Sequence, residues 1–335
     1  MSENRPILLV TGAAGFLGGL TAKFFGQSRK EFKVRATSRR DFRKEELQQH
    51  GCDFMAGDLA DFEFCRELVK NAEVVIHCAG LSSPFGQYDD FYKSNVLATE
   101  NLLKASRQSG VKKFVFISTP SIYFNYEERL GIKESDPLPP KMVNHYAATK
   151  LMAEQIVLEA NHSDFRTIAL RPRAITGAED TVIFPRALEA HRQGKLKIVG
   201  NGENICDFTA VRNVIHAIEC CLEAKADAYG EAFNITDGTP VKLWETLSDA
   251  LVSLGLDPPK KKVSKTIALL AASAVEKWAL FKGSKEEPAL VKYSVGILST
   301  SMTMDISKAR NLLGYSPQVS THESIEEFVQ WHLNL

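Results

Sequence analysis

Ile7-Leu8-Leu9-Val10-Thr11-Gly12-Ala13-Ala14-Gly15-Phe16-Leu17-Gly18-Gly19 decides the fold. The apolar run Ile7 to Val10 predicts a buried strand. Glycines at 12, 15 and 18 then let the backbone turn sharply, approach a pyrophosphate and open a helix whose free N–H groups face phosphate. The spacing is GxxGxxG where the common dinucleotide fingerprint is GxGxxG, but a strand before and a helix after favour the same role. Gly12, Ala14, Gly15 and Gly18 are the phosphate-turn candidates, with Phe16 and Leu17 opening the helix.

Lys33 to Thr37 reads as the second strand. Past its end an acid would bind a ribose 2′-hydroxyl, yet Ser38-Arg39-Arg40 stands there, and two guanidiniums suit a 2′-phosphate. NADP is therefore the favoured cofactor, and Asp41 keeps NAD as the other candidate. A helix through Glu45 to Gln49 and a strand Asp53 to Met55 lead to Gly57-Asp58-Leu59, where Asp58 either accepts from an adenine amino group or caps the helix beginning near Phe62. Strand Val74 to His77 runs into Cys78-Ala79-Gly80, small residues that let a cofactor pass close to the backbone. His77 and Cys78 read as core and strand-end residues, since no partner of metal-site spacing lies nearby.

Helical spacing from Tyr92 to Leu103 and a strand Phe114 to Ile117 continue the alternation, which predicts a doubly wound parallel sheet of the α/β class. Residues 124–145, rich in charge and proline, read as a surface loop bordering the substrate. A helix from His145 to about Ala160 then sets Tyr146 and Lys150 one turn apart on one face. A phenol of ordinary pKa about 10 carries protons poorly near neutrality unless a nearby ammonium stabilises its phenolate. Lys150 supplies that charge, and Thr119, just past Ile117, supplies a hydroxyl to orient the reacting oxygen.

With 335 residues the chain can bury a large core, as one large α/β unit or two lobes. Its 41 basic and 41 acidic residues cancel, so no net field draws nucleic acid. The six cysteines show neither C-x-x-C pairs nor metal-site spacing, which predicts reduced thiols, no metal and a cytoplasmic location. The polar start runs straight into a strand, and no stretch reaches the roughly 18 apolar residues of a membrane span.

Taken together, Thr11 to Gly18, Gly57-Asp58-Leu59, Asn95-Val96 with Thr99 to Leu102, Ser118 to Tyr123, Tyr146 to Lys150, Leu170-Arg171-Pro172 and Leu313 to Pro317 resemble the extended short-chain dehydrogenase/reductase superfamily. The resemblance implies a Rossmann domain (1–172 and 206–236) interleaved with a smaller C-terminal substrate-binding domain (173–205 and 237–335). It implies Tyr146 as acid/base, Lys150 as its support and Thr119 in the place of the catalytic Ser or Thr. It also implies Asn95, Ser118, Arg171 and Pro172 beside the cofactor, Ser121 and Tyr123 beside the substrate, and a homodimer.

Ser118 to Ser121, Tyr146 to Gln155 and Leu170 to Arg173 are most similar to the 3β-hydroxysteroid dehydrogenase-like branch, with its bacterial 2-alkyl-3-oxoalkanoate reductases of olefin biosynthesis. That implies oxidation or reduction at the 3-position of a lipid-like substrate. Sugar-nucleotide dehydratases carry Asp-Glu where Pro120-Ser121 stands here, which disfavours them. A nucleotide-sugar 4-epimerase is the alternative, and a cofactor-binding sensor or scaffold without turnover is the second, opposed by the intact Thr119, Tyr146 and Lys150. Ala98 and Arg212 depart from the superfamily pattern and bear on local packing.

Beyond Pro172 the alternation loosens, with helices at Phe184 to Gln193, Val214 to Leu222 and Trp244 to Leu254. Lys260-Lys261-Lys262 and Lys265 precede a helix with Ile267, Leu270, Ala274, Trp278 and Phe281 on one stripe. Such a stripe is expected to be core or substrate wall, with peripheral contact to an anionic membrane as the second reading. Arg173, just past a strand end, is the candidate for a substrate carboxylate, the alternative being an arginine tied to surface acids.

Overall fold

A computed structural model describes residues 5–284 and 286–335. Seven parallel strands form the main sheet in the spatial order Ala232–Ile235, Arg166–Pro172, Lys113–Ile117, Ala72–His77, Ile7–Thr11, Lys33–Ser38, Cys52–Ala56. The strand order reverses beside Ile7–Thr11, and a doubly wound sheet binds its ligand at that switch point, outside the carboxyl ends of the strands.

Successive strand residues point to opposite faces, so both faces are apolar. Leu8, Val10, Ile76, Val115 and Ile117 pack under helices Phe16–Ser28 and Val211–Leu222. Leu9, Val75, Phe114 and Phe116 pack on the other side against helices Ala98–Gln108 and His145–Glu159. The second lobe carries its own core around Phe184, Phe208, Trp244 and Phe328. No helix of the described residues is long and apolar enough to cross a membrane.

The segment 124–145 corrects the surface-loop expectation, because it contributes a strand, Arg129–Ile132, to a four-stranded sheet of the second lobe beside Met302–Met304. Phe124 and Ile132 are buried there. The pairing is with residues far along the chain, and so short a strand amid charges and prolines has no local periodicity to reveal it. The stripe on helix Lys265–Phe281 is corrected as well. Ile267, Leu270, Trp278 and Phe281 are 63%, 67%, 60% and 90% exposed, and the helix packs instead through Ala268, Ala272 and Ala279.

Candidate active site

Two strand ends shape the phosphate end of the cleft. The Thr11 hydroxyl donates to His77 Nδ1 at 2.8 Å and accepts the Ala79 N–H at 3.1 Å. His77 Nε2–H donates to Thr99 Oγ1 at 3.0 Å, whose proton goes to the Asn95 carbonyl at 2.6 Å. Both ring nitrogens are thus satisfied in the neutral imidazole, and burial pushes its pKa down to about 3. His77 is a strut between strands, as its sequence position suggests.

Gly12 has φ +71°, and a Cβ there would stand 2.7 Å from the Ala79 nitrogen. A Cβ on Gly18 would stand 2.4 Å from the Gly12 carbonyl oxygen, so only glycine lets the helix seat on the turn. Helix Phe16–Ser28 starts with no side-chain cap and no acid in its first turn, leaving its N–H groups facing the cleft. The Phe16 and Leu17 side chains are buried in the core, so these two residues reach the cleft only through their backbone.

The cleft holds about 360 Å³. Gly12, Ala14 and Gly15 line its phosphate end, and Cys78, Ala79 and Gly80 form a further wall. Burial raises the Cys78 thiol to about 12, so it contributes shape and no thiolate. Ser38, Arg39 and Arg40 line the ribose end with Asp58 and Leu59. Both arginines are exposed, and no ion pair within 4.0 Å holds either among the described residues.

Asp58 does not cap the following helix. Asp61 does, accepting the Glu63 N–H at 2.9 Å, while Asp58 accepts the Ala60 N–H at 3.0 Å and pairs with Lys93 at 3.2 Å. Against the burial that would raise it, that N–H and Lys93 hold the Asp58 carboxyl below the usual range. Phe42 and Thr37 also line this end, though no sequence pattern singles them out.

Helix His145–Glu159 begins at Asn144, whose side chain accepts the Ala147 N–H at 2.8 Å and so places Tyr146 in the first turn. Lys150, one turn on, donates to the Ile117 carbonyl at 2.6 Å and lies 3.9 Å from the Phe116 ring centre. Burial lowers its pKa to about 7 against the pull of Glu154. The Tyr146 pKa is raised, not depressed as the Lys150 pairing predicts. Burial outweighs the lowering influence of the Thr119 and Ser82 hydroxyls, and the Lys150 ammonium is turned to the strand end.

Thr119 and its neighbours form a string of hydroxyls. Thr119 Oγ1 accepts the Ser121 N–H at 3.2 Å and donates to Ser121 Oγ at 3.0 Å, which shares a 2.6 Å hydrogen bond with the Tyr293 hydroxyl. Tyr293 comes from helix Lys292–Ile297 of the second lobe and is missed by sequence reasoning, since no local motif marks it.

Arg173 is 6% exposed, and its Nε has no hydrogen-bond partner among the described residues. No ion pair within 4.0 Å neutralises it there, which excludes the alternative of surface acids. Its charge reaches Tyr293 and Asp207. Burial raises the Asp207 carboxyl to about 6 despite the Met304 N–H and Arg173.

Three expected contacts lie elsewhere. Tyr123 is wholly buried, with its hydroxyl donating to Asn234 Oδ1 at 3.0 Å and accepting from Arg171, so it does not face substrate. Arg171 donates through Nε and Nη2 to Glu154 at 2.8 and 2.5 Å, a buried pair that pins the catalytic helix from behind and leaves no fork for a cofactor. Asn95, in the π-helical turn Tyr92–Leu97, spends its amide on Leu81 and Thr149. It joins the cleft loop to the catalytic helix. Pro172 is buried at its strand end opposite Ile235. The Ser118 hydroxyl is buried at the neighbouring strand end with no partner among the described residues.

The Lys150 environment predicts a pH-dependent stability. Its folded pKa is about 7 against an ordinary value near 10.4, so between these the unfolded chain binds more protons and stability rises with pH. Lys150→Met lacks that gain. In thermal unfolding the variant's Tm relative to wild type is expected to fall as pH rises from about 6 to about 9, and a constant difference would refute the assignment.

A glycine cradle at the sheet's switch point, a Tyr/Lys helix and a neighbouring hydroxyl define an oxidoreductase of the doubly wound dinucleotide-binding class. Residues 9–265 match the 3-beta hydroxysteroid dehydrogenase/isomerase family, and the chain belongs to it. Dehydrogenases and reductases of this family act on hydroxyl and keto groups with a nicotinamide cofactor. The chain is 34% identical over 325 residues to a 2-alkyl-3-oxoalkanoate reductase of Stenotrophomonas maltophilia, covering 95% of this chain and 97% of that protein. It is 31% identical over 285 residues to the decarboxylating sterol-4-alpha-carboxylate 3-dehydrogenase of Mus musculus, covering 83% and 79%. A UDP-glucuronic acid 4-epimerase from Bacillus cereus, solved with NAD, superposes with a TM-score of 0.74 at 23% identity over 98% and 99% of the two chains, a likeness of fold.

Proposed function

We propose that this protein is an NADP-preferring oxidoreductase that interconverts a 3-oxo and a 3-hydroxy group on a lipid-like acid. The observation that carries the reading is Arg173, a buried cation whose Nε has no hydrogen-bond partner among the described residues and whose charge reaches Tyr293 at the end of the hydroxyl string. A buried guanidinium with an unpartnered N–H favours an anionic ligand, and a carboxylate matches its fork. The 2-alkyl-3-oxoalkanoate and sterol-4-alpha-carboxylate relatives are both named for acids that react at the 3-position.

The cleft fits a nicotinamide dinucleotide, as the Gly12 cradle and the orphaned Ser118 hydroxyl indicate. The turn Gly12 to Gly15 would hold its pyrophosphate, Ser38-Arg39-Arg40 a 2′-phosphate, and Lys150 with Ser118 the nicotinamide end. When bound, the cofactor supplies or accepts the hydride. Tyr146 supplies the proton, since near neutrality a phenol is in its protonated form, the form that can donate to a carbonyl oxygen. Thr119, placed by Ser121, polarises that oxygen when its hydroxyl proton turns from Ser121 Oγ to the substrate. In the reverse direction the same phenol oxygen must take the alcohol proton, which a higher pH favours.

The reading is tested by following nicotinamide absorbance on mixing the protein with a 2-alkyl-3-oxo fatty acid, with NADPH and NADH in parallel. Faster oxidation of NADPH is expected, and no turnover with either despite cofactor binding would overturn it. Arg39→Ala with Arg40→Ala should raise KM for NADPH by about 10-fold or more while leaving KM for NADH within about twofold, since only the 2′-phosphate loses partners. Equal changes for both would remove the arginines from phosphate recognition.

A further inference from the structure

Helix Lys265–Phe281 is built with its large side chains outward. Ala268, Ala272 and Ala279 are buried, while Ile267, Leu270, Trp278 and Phe281 stand 60% or more exposed. At helical spacing, Ile267, Leu270, Ala271, Ala274, Trp278 and Phe281 form one continuous apolar seam. Soluble helices bury such a seam, and an exposed one of this length marks a binding surface.

Charge indicates what covers it. From residue 260 to 284 stand Lys260, Lys261, Lys262, Lys265, Lys277 and Lys282 against the single acid Glu276. Glu276 is turned away from the seam, accepting the Lys292 N–H at 2.9 Å. Lys277 and Lys282 flank the seam, and the Lys282 ammonium lies 3.8 Å over the Trp278 ring. A tryptophan between lysines on an apolar seam matches an interface that is apolar below and anionic above. A second copy of this chain would bring the same lysines to face their like.

Position ties the seam to the site. Helix Lys265–Phe281 packs on Lys292–Ile297, which carries Tyr293 to Ser121. Glu276 fixes the residue just before Tyr293.

We propose that this seam docks on the surface of an anionic lipid bilayer and holds the substrate end of the pocket beside it. The benefit to catalysis rests on the lipid-acid reading above, whereas the docking itself does not. The test is flotation of the full-length protein with vesicles of phosphatidylcholine containing phosphatidylglycerol, against phosphatidylcholine alone. Wild type should float with the anionic vesicles and be released by high salt. Leu270→Glu with Phe281→Glu, and separately Lys260→Glu with Lys261→Glu, should lower binding by about 10-fold or more.

Wild type that fails to float, or floats equally after both changes, would overturn the proposal. So would light scattering that shows Leu270→Glu with Phe281→Glu halving the molar mass, since a second copy would then cover the seam. All variants are also assayed on a short, water-soluble 3-oxo acid. Its reduction at wild-type rates shows the fold intact. Absence of that reduction in wild type, with flotation preserved, would defeat the lipid-acid reading and leave the docking standing.

Discussion

Tyr146→Phe should lower kcat for 3-oxo reduction by roughly 10²- to 10⁴-fold, the usual cost of losing one positioned proton donor. The ring and its packing remain, and only the hydroxyl is removed. KM for the cofactor should stay within about threefold, because the glycine turn and the arginines are untouched. Steady-state kinetics with equal Tm values for the two proteins makes the comparison clean. Near-normal turnover would show that another group delivers the proton.

Arg173→Met should raise KM for a 3-oxo acid by about 10- to 100-fold, the equivalent of roughly 1.5–3 kcal/mol for a hydrogen bond to a charged group. Met retains much of the apolar stem while deleting the charge. The methyl ester of the same acid is expected to react almost equally with variant and wild type, because it offers no carboxylate to the guanidinium. Thermal stability is measured in parallel, because the change also withdraws the charge that acts on the buried Asp207 carboxyl. Acid and ester affected alike would assign Arg173 a purely structural role.

The parts of this site whose residues adjoin one another along the chain are legible in the amino-acid sequence. Gly12 to Gly18 is one strand–turn–helix, so local geometry dictates its shape. Ser38-Arg39-Arg40 follows its strand directly and lines the cleft as expected. Tyr146 and Lys150 share a helical turn, which fixes their common face.

Contacts assembled from distant segments are not legible in that way. Arg171 reads as a cofactor residue until Glu154 and Tyr123 are seen to enclose it, and Tyr123 reads as a substrate contact until it is found beneath the site. Tyr293 belongs to the second lobe and reaches Ser121 only through tertiary packing. The Lys265–Phe281 stripe shows why periodicity alone misleads: it reports that large apolar residues share a face, and the small alanines opposite decide which face is buried.

The most direct test of the account uses NADPH carrying deuterium at its transferable position, a 2-alkyl-3-oxo fatty acid and mass spectrometry of the product. One deuterium on the 3-carbon of a 3-hydroxy acid, with NADP formed in equal amount, is the predicted result. A product without deuterium, or NADPH recovered intact while a nucleotide sugar is epimerised instead, would contradict it.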